Sequence, residues 1–105
     1  MNIKEFKKIQ AHLAPLFKKN AVIKGVLFGS LAWGSETRKS DLDLMIIKKT
    51  GERFFKRYDE FNEIYDLVND RNVDLLIYTP EELQSISHRP FIRKILEEGE
   101  IIYER

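Results

Sequence analysis

The chain has 105 residues, 43% of them hydrophobic and 33% charged, with no cysteine and a net charge of +1. That size and balance fit one soluble domain over residues 1–105, exclude disulfides and thiolate metal sites, and leave no apolar run near the ~20 residues of a membrane span. With no signal-peptide pattern at the N-terminus, a cytoplasmic location is expected.

The first predicted element is an amphipathic helix: Ile3, Phe6, Ile9, Leu13, Leu16 and Phe17 recur at mostly three- and four-residue steps, with Asn2 as N-cap. Pro15 falls inside the pattern, so a kink or restart is expected near Ala14. Val22 to Phe28 reads as a buried strand running into Gly29, and Leu31 to Gly34 as one helical turn. Asp41 to Ile47 is the second strand. Phe54, Tyr58, Phe61, Tyr65 and Val68 are spaced four, three, four, three, which predicts a helix from about Glu52 to Asn69 whose aromatic stripe packs in the core. A turn at Asp70-Arg71-Asn72 leads to a third strand, Val73 to Tyr78. Thr79-Pro80-Glu81-Glu82 then carries N-cap, first-turn proline and capping-box signals. A further helix runs from Arg89 or Pro90 to Glu98 and stops at Gly99, and Ile101 to Tyr103 adds a short strand. The segment from Ser30 to Ser40 is too short for a helical crossover, so the first two strands are expected to be antiparallel neighbours. The fold class is α/β (α+β), a small mixed sheet covered by helices.

Charge is unevenly spread. Residues 1–57 carry 13 Lys/Arg against 5 Asp/Glu, and residues 58–105 carry 5 against 12. The basic half suits an anionic small ligand, or the two halves are solvated faces of opposite sign; an overall basic balance for gripping duplex nucleic acid is missing. Within the basic half, Gly29 and Ser30 form a turn between apolar segments, offering the N–H and hydroxyl donors a phosphate chain needs. Asp41 and Asp43 open the next strand at period two, about 6.5 Å apart on one side. Two carboxylates so placed bracket one divalent ion, or two ions ~3.5–4 Å apart. Asp74 is an acid inside an otherwise apolar strand. Either it faces water at a sheet edge, or it joins Asp41 and Asp43 in a three-carboxylate cradle for Mg²⁺ or Mn²⁺. The spacing Gly29 to Gly34 matches a P-loop, but Ser35 and Glu36 stand where lysine and a hydroxyl residue are required, so that reading fails.

Asp-x-Asp alone starts many strands. Joined to Leu27-Phe28-Gly29-Ser30, to Ala32 and Gly34, to Ser40-Asp41-Leu42-Asp43-Leu44 and to the strand bearing Asp74, it resembles the minimal nucleotidyltransferases of the DNA polymerase β-like superfamily. The resemblance covers nearly the whole chain. It implies a nucleotidyltransferase fold in which Gly29 and Ser30 hold the β- and γ-phosphates of a triphosphate, ATP being the expected donor. It also implies that Asp41 and Asp43 ligate two Mg²⁺ ions, while Asp74 ligates the catalytic one and helps deprotonate an acceptor hydroxyl. A nucleoside monophosphate would be transferred and pyrophosphate released. Many members have arginine where Trp33 stands; Arg38 and Lys39, beside Ser40 in the same loop, are the candidate replacements for that cation.

So small a core leaves little structure to hold an acceptor, which is expected to come from another chain: a second copy, or a helical partner. Similar minimal domains are paired with small HEPN-type proteins in toxin–antitoxin modules, and some adenylylate that partner. Two other readings stay open on the residues alone: a non-catalytic antitoxin-like module that caps such a partner, and a plain structural domain.

Overall fold

The computed structural model describes residues 1–33 and 40–105. Helix α1 (Ile3–Lys19) leads to strand β1 (Lys24–Phe28), the single turn α2 (Ser30–Trp33) and strand β2 (Leu42–Ile47). Two short helices, α3 (Phe54–Arg57) and α4 (Glu63–Leu67), flank a 3₁₀ turn at Tyr58–Phe61 and carry the chain to β3 (Val73–Tyr78). Helices α5 (Pro80–Ile86) and α6 (Pro90–Glu98) and strand β4 (Glu100–Glu104) complete the described fold.

The sheet order is β3-β2-β1-β4. As expected from the short connection, β1 and β2 are antiparallel, with Phe28 opposite Asp43. β2 and β3 are parallel, with Asp43 opposite Asp74, and the α3–α4 segment makes the crossover that a parallel pair requires. β4 pairs antiparallel with β1 on the other edge.

Alternation along the strands splits the core into two layers. Leu42, Leu44 and Ile46 pack with Leu13, Leu16 and Phe17 of α1 and with Phe61 and Ile64. Met45 and Ile47 point the opposite way, joining Val26, Phe28, Ile92 and Ile95 beneath α6. A strand buried on both faces has no polar side to show, which is why β2 reads as a continuous apolar run after Asp43. Truncating one such buried leucine or isoleucine to alanine costs about 2–5 kcal/mol.

Local chemistry fixes several boundaries. The Asn2 side chain accepts the Glu5 N–H at 2.8 Å, and Thr79 and Glu82 exchange both bonds of a capping box ahead of α5. The bidentate pair between Arg57 and Glu82, at 2.6 and 2.9 Å, ties α3 to α5. The Arg57 guanidinium also donates to the Glu52 and Ile77 carbonyls, so this buried cation is amply bonded. The Arg57 hydrogen bonds, and then the Thr79 N–H, hold the Glu82 carboxyl down at about 2.

Three expectations need correction. The helix predicted from Glu52 to Asn69 is broken into α3, the 3₁₀ turn and α4. A 3₁₀ turn winds three residues per turn instead of 3.6, so the aromatic stripe loses its phase. Phe61, Ile64 and Val68 are buried, whereas Phe54 and Tyr65 are 44% and 46% exposed. Second, α1 does not restart near Ala14; it runs unbroken through Pro15. One lost hydrogen bond is tolerated there because Leu13, Leu16 and Phe17 anchor the segment in the core. Third, Asp41 lies just ahead of β2, which begins at Leu42.

Candidate active site

The acidic residues gather where β1 ends and where β2 and β3 begin. Asp43 and Asp74 are direct neighbours across the parallel pair, so both side chains stand on the α6 face of the sheet, at strand spacing. Their carboxyls stand within hydrogen-bonding reach of each other when one is protonated, and Asp41 adds its charge from two residues upstream. Burial, then the charges of Asp74 and Asp41, and then that hydrogen bond push Asp43 up from 3.8 to about 6. Asp43, with two other acids beside it at one sheet end, resists ionising. Asp74 sits on the edge strand and is exposed, with Asp43 opposite it in the register.

Gly29 seats the cluster sterically. Its φ is +77°, a conformation that favours glycine, and a Cβ there would overlap the Asp43 Oδ2. The missing side chain is the space the carboxylate occupies. The Gly29 carbonyl accepts the Ala32 and Trp33 N–H groups at 3.1 and 3.0 Å, closing α2 directly after the turn. Ser30 is the first residue of that turn of helix.

Arg71 holds the entry to β2, a role with no signal in its local sequence. Its Nε and Nη2 donate to Glu5 Oε1 at 3.0 and 2.9 Å, and its Nη1 donates to the Ser40 carbonyl at 2.9 Å. One side chain thus links α1, the residue before Asp41 and the turn three residues before Asp74. The Leu42 N–H, donating to the Asn72 carbonyl at 2.7 Å, closes the same junction.

Of the residues expected to form the site, the structure brings together Asp41, Asp43, Asp74 and Gly29, with Ser30 and Ser40 adjoining in the chain. Arg38 and Lys39 lie outside the described residues, as does Gly34. Among the described residues no three acidic or histidine side chains are already spaced as a finished metal cage. The donor set nevertheless suits a hard divalent cation: carboxylate oxygens only, in mutual repulsion that a cation relieves. No helix among the described residues is long and apolar enough to cross a membrane.

The polymerase beta nucleotidyltransferase family matches residues 11–105. A Methanocaldococcus jannaschii protein that carries the provisional name protein adenylyltransferase is 30% identical over 103 residues, 96% of each chain. A second from the same organism, provisionally named the same way, is 32% identical over 90 residues, covering 80% of this chain but 60% of its own length. In fold, the chain is similar to a provisionally named nucleotidyltransferase of Sulfolobus solfataricus, with TM-score 0.66, 17% identity and coverage of 98% and 83% of the two chains. It is also similar to a chain of a toxin–antitoxin structure solved with AMP-PNP, with TM-score 0.61, 18% identity and coverage of 91% and 73%. A chain of a mutant MntA–HpeT toxin–antitoxin structure gives TM-score 0.60, 16% identity and the same coverage. The acid cluster and its glycine turn fall within the matched stretch, and the chain belongs to the polymerase beta nucleotidyltransferase family.

Proposed function

We propose that this protein transfers AMP from ATP to a hydroxyl group of a partner protein, in the presence of Mg²⁺. The observation that carries the reading is the Asp43–Asp74 pair set against the Gly29 turn, with Asp41 beside it. Turn and acids stand at one end of the sheet, where a polyphosphate and divalent cations have to meet.

Asp41, Asp43 and Asp74 are the residues that would hold two Mg²⁺ ions, with Mn²⁺ an alternative of the same ligand chemistry. When bound, the ions supply positive charge to the triphosphate and to the developing negative charge of the transfer. The chain's own groups do the rest. The Gly29–Ser30 backbone and the Ser30 hydroxyl hold the β- and γ-phosphates, with Ser40 on the same side of the site; Arg38 and Lys39, also expected to bind them, lie outside the described residues. Asp74, the most open of the three acids, receives the proton of the acceptor hydroxyl. The hydroxyl oxygen bonds to the α-phosphorus, the bond to the β-phosphate oxygen breaks, and pyrophosphate leaves. An acceptor has to approach the open β3 edge beside Asp74. A small helical HEPN-type protein or a second copy of this chain is the partner we assign. The names of the adenylyltransferase relatives and the toxin–antitoxin structures of similar fold support that choice.

Incubation with α-labelled ATP, Mg²⁺ and the product of the adjacent gene tests the reading. Label is expected on the partner, and none with the Asp41→Asn/Asp43→Asn double variant. Equal labelling by that variant overturns the assignment of the acids. Neutralisation of a toxic partner by the double variant, with no labelling by wild type, would establish the non-catalytic capping module instead.

Arg71 supplies a second expectation. Arg71→Ala should release Ser40 and so displace Asp41, raising the Mg²⁺ concentration needed for half-maximal rate by roughly ten-fold, the usual scale for a group that orients metal-binding residues. KM for ATP should move much less. A Mg²⁺ titration of the initial rate decides it; an unchanged midpoint would reduce Arg71 to a structural tie.

A further inference from the structure

Trp33 ends α2 on the sheet face that carries Asp43 and Asp74, and its ring packs against the layer formed by Val26, Phe28, Met45 and Ile95. Its backbone N–H is bonded to Gly29. The indole N–H is buried and has no acceptor among the described residues, so packing, not a polar bond, seats the ring. Over the face of that ring, 4.1 Å from its centroid, stands the Lys94 ammonium.

Lys94 has carboxylates near at hand on its own helix. Glu98 lies one turn on, and Glu97 is taken by Arg93 at 3.1 Å. Among the described residues no carboxylate pairs with Lys94, although the side chain is exposed and free to reach one. Its position is tied to the site from a second direction. Phe91, one turn earlier on α6, meets Phe28 edge-on at 5.8 Å. Phe28 is the residue before Gly29 and lies opposite Asp43. A cation with no carboxylate partner among the described residues therefore stands on the last residue of α2, on the sheet face that carries the acids. An aromatic face biases where an exposed ammonium stands by about 0.5–1 kcal/mol, and leaves the N–H groups turned away from the ring free to donate to an anion.

We propose that Lys94, held on the Trp33 indole, binds the polyphosphate of the nucleotide at the Gly29–Ser30 turn. The inference rests on the nucleotidyl-transfer reading of that site and adds to it a recognition of charge: a triphosphate engages Lys94, and a monophosphate does not. Trp33 is then the residue that keeps the amine poised, in a turn too short to carry a cation of its own among its described residues.

Isothermal titration in Mg²⁺ with ATP, AMP and inorganic tripolyphosphate tests this. Lys94→Ala should weaken ATP and tripolyphosphate about ten-fold or more, the scale of one charge-assisted hydrogen bond, and AMP less than about two-fold. Lys94→Arg should stay within about three-fold of wild type for all three. Trp33→Leu, which frees the amine, should weaken ATP about three-fold while melting confirms a folded protein. ATP binding by Lys94→Ala within two-fold of wild type overturns the proposal, and so does an equal loss for AMP. Failure of wild type itself to bind ATP would instead sink the nucleotide reading.

Discussion

Asp43→Asn is expected to abolish nucleotidyl transfer and, in the metal-free protein, to raise stability at neutral pH. The two effects have one cause. Burial and the neighbouring acids lift Asp43 from 3.8 to about 6, so the folded state binds its proton more tightly than the unfolded chain. Between these values the native protein holds more protons, and stability falls as pH rises. The contribution is fully present below about pH 4 and is lost as pH passes through about 6. At pH 7.5 the ionised cluster therefore weakens the fold, by on the order of 2 kcal/mol at a partly screened site. An asparagine amide donates to Asp74 at every pH, supplying permanently the hydrogen bond that Asp43 makes only while protonated. In EDTA near pH 7.5 the variant should melt several degrees above wild type, and the gap should close as the buffer is taken toward pH 4. Mg²⁺ should raise the wild-type midpoint and leave that of the variant nearly unchanged. The rate of AMP transfer should fall roughly 100-fold or more through loss of a charged ligand. A variant less stable than wild type in EDTA at neutral pH would mean that the acids do not strain the fold as their placement implies.

The parts of this molecule legible in its sequence are those decided by near neighbours. The runs Val22 to Phe28, Asp41 to Ile47 and Val73 to Tyr78 announce strands because their apolar residues are buried on the face or faces their period requires. Thr79, Pro80 and Glu82 announce α5 because a capping box is closed within four residues. Asp74 is conspicuous as an acid among aliphatic residues, and the short connection already dictates an antiparallel β1–β2 pair. What local pattern does not carry is any role whose partner is remote. Arg57 looks like one more surface cation after Lys56. Its partners Glu82 and Ile77, 25 and 20 residues on, hold it buried against α5 and β3. Arg71 reads as a polar turn residue until Glu5, 66 residues away, and Ser40, 31 away, meet its guanidinium. Lys94 occupies an ordinary exposed position of an amphipathic helix; only the packing of α6 over β1 sets its amine on Trp33. The acid pair itself is intermediate. Its members can be picked from the sequence, but that Asp43 lies opposite Asp74 follows from the strand register.

Gly29→Ala should be nearly as damaging to transfer as loss of Asp43, and for a separable reason. Two penalties meet at this position. The backbone has φ +77°, which an alanine adopts at a cost of about 1–2 kcal/mol. The added methyl would also occupy the place of the Asp43 Oδ2. Either the turn opens and carries its N–H groups off the phosphates, or Asp43 swings away from Asp74. Both outcomes strike the site, and a roughly 100-fold loss of rate is expected with the protein still folded. A double-mutant cycle separates the terms. In an Asp43→Ala background the carboxylate is absent, so Gly29→Ala should there cost only the backbone term. In wild type it should cost more by the price of displacing the acid. Chemical denaturation in EDTA at pH 7.5 measures both. Near that pH part of the displacement cost is offset by relief of the crowded charge, so the excess should grow as the pH is lowered toward 4 and the Asp43–Asp74 hydrogen bond strengthens. An excess that is zero at every pH would show that the glycine serves the turn alone, and that the acid sits beside it without depending on the missing side chain.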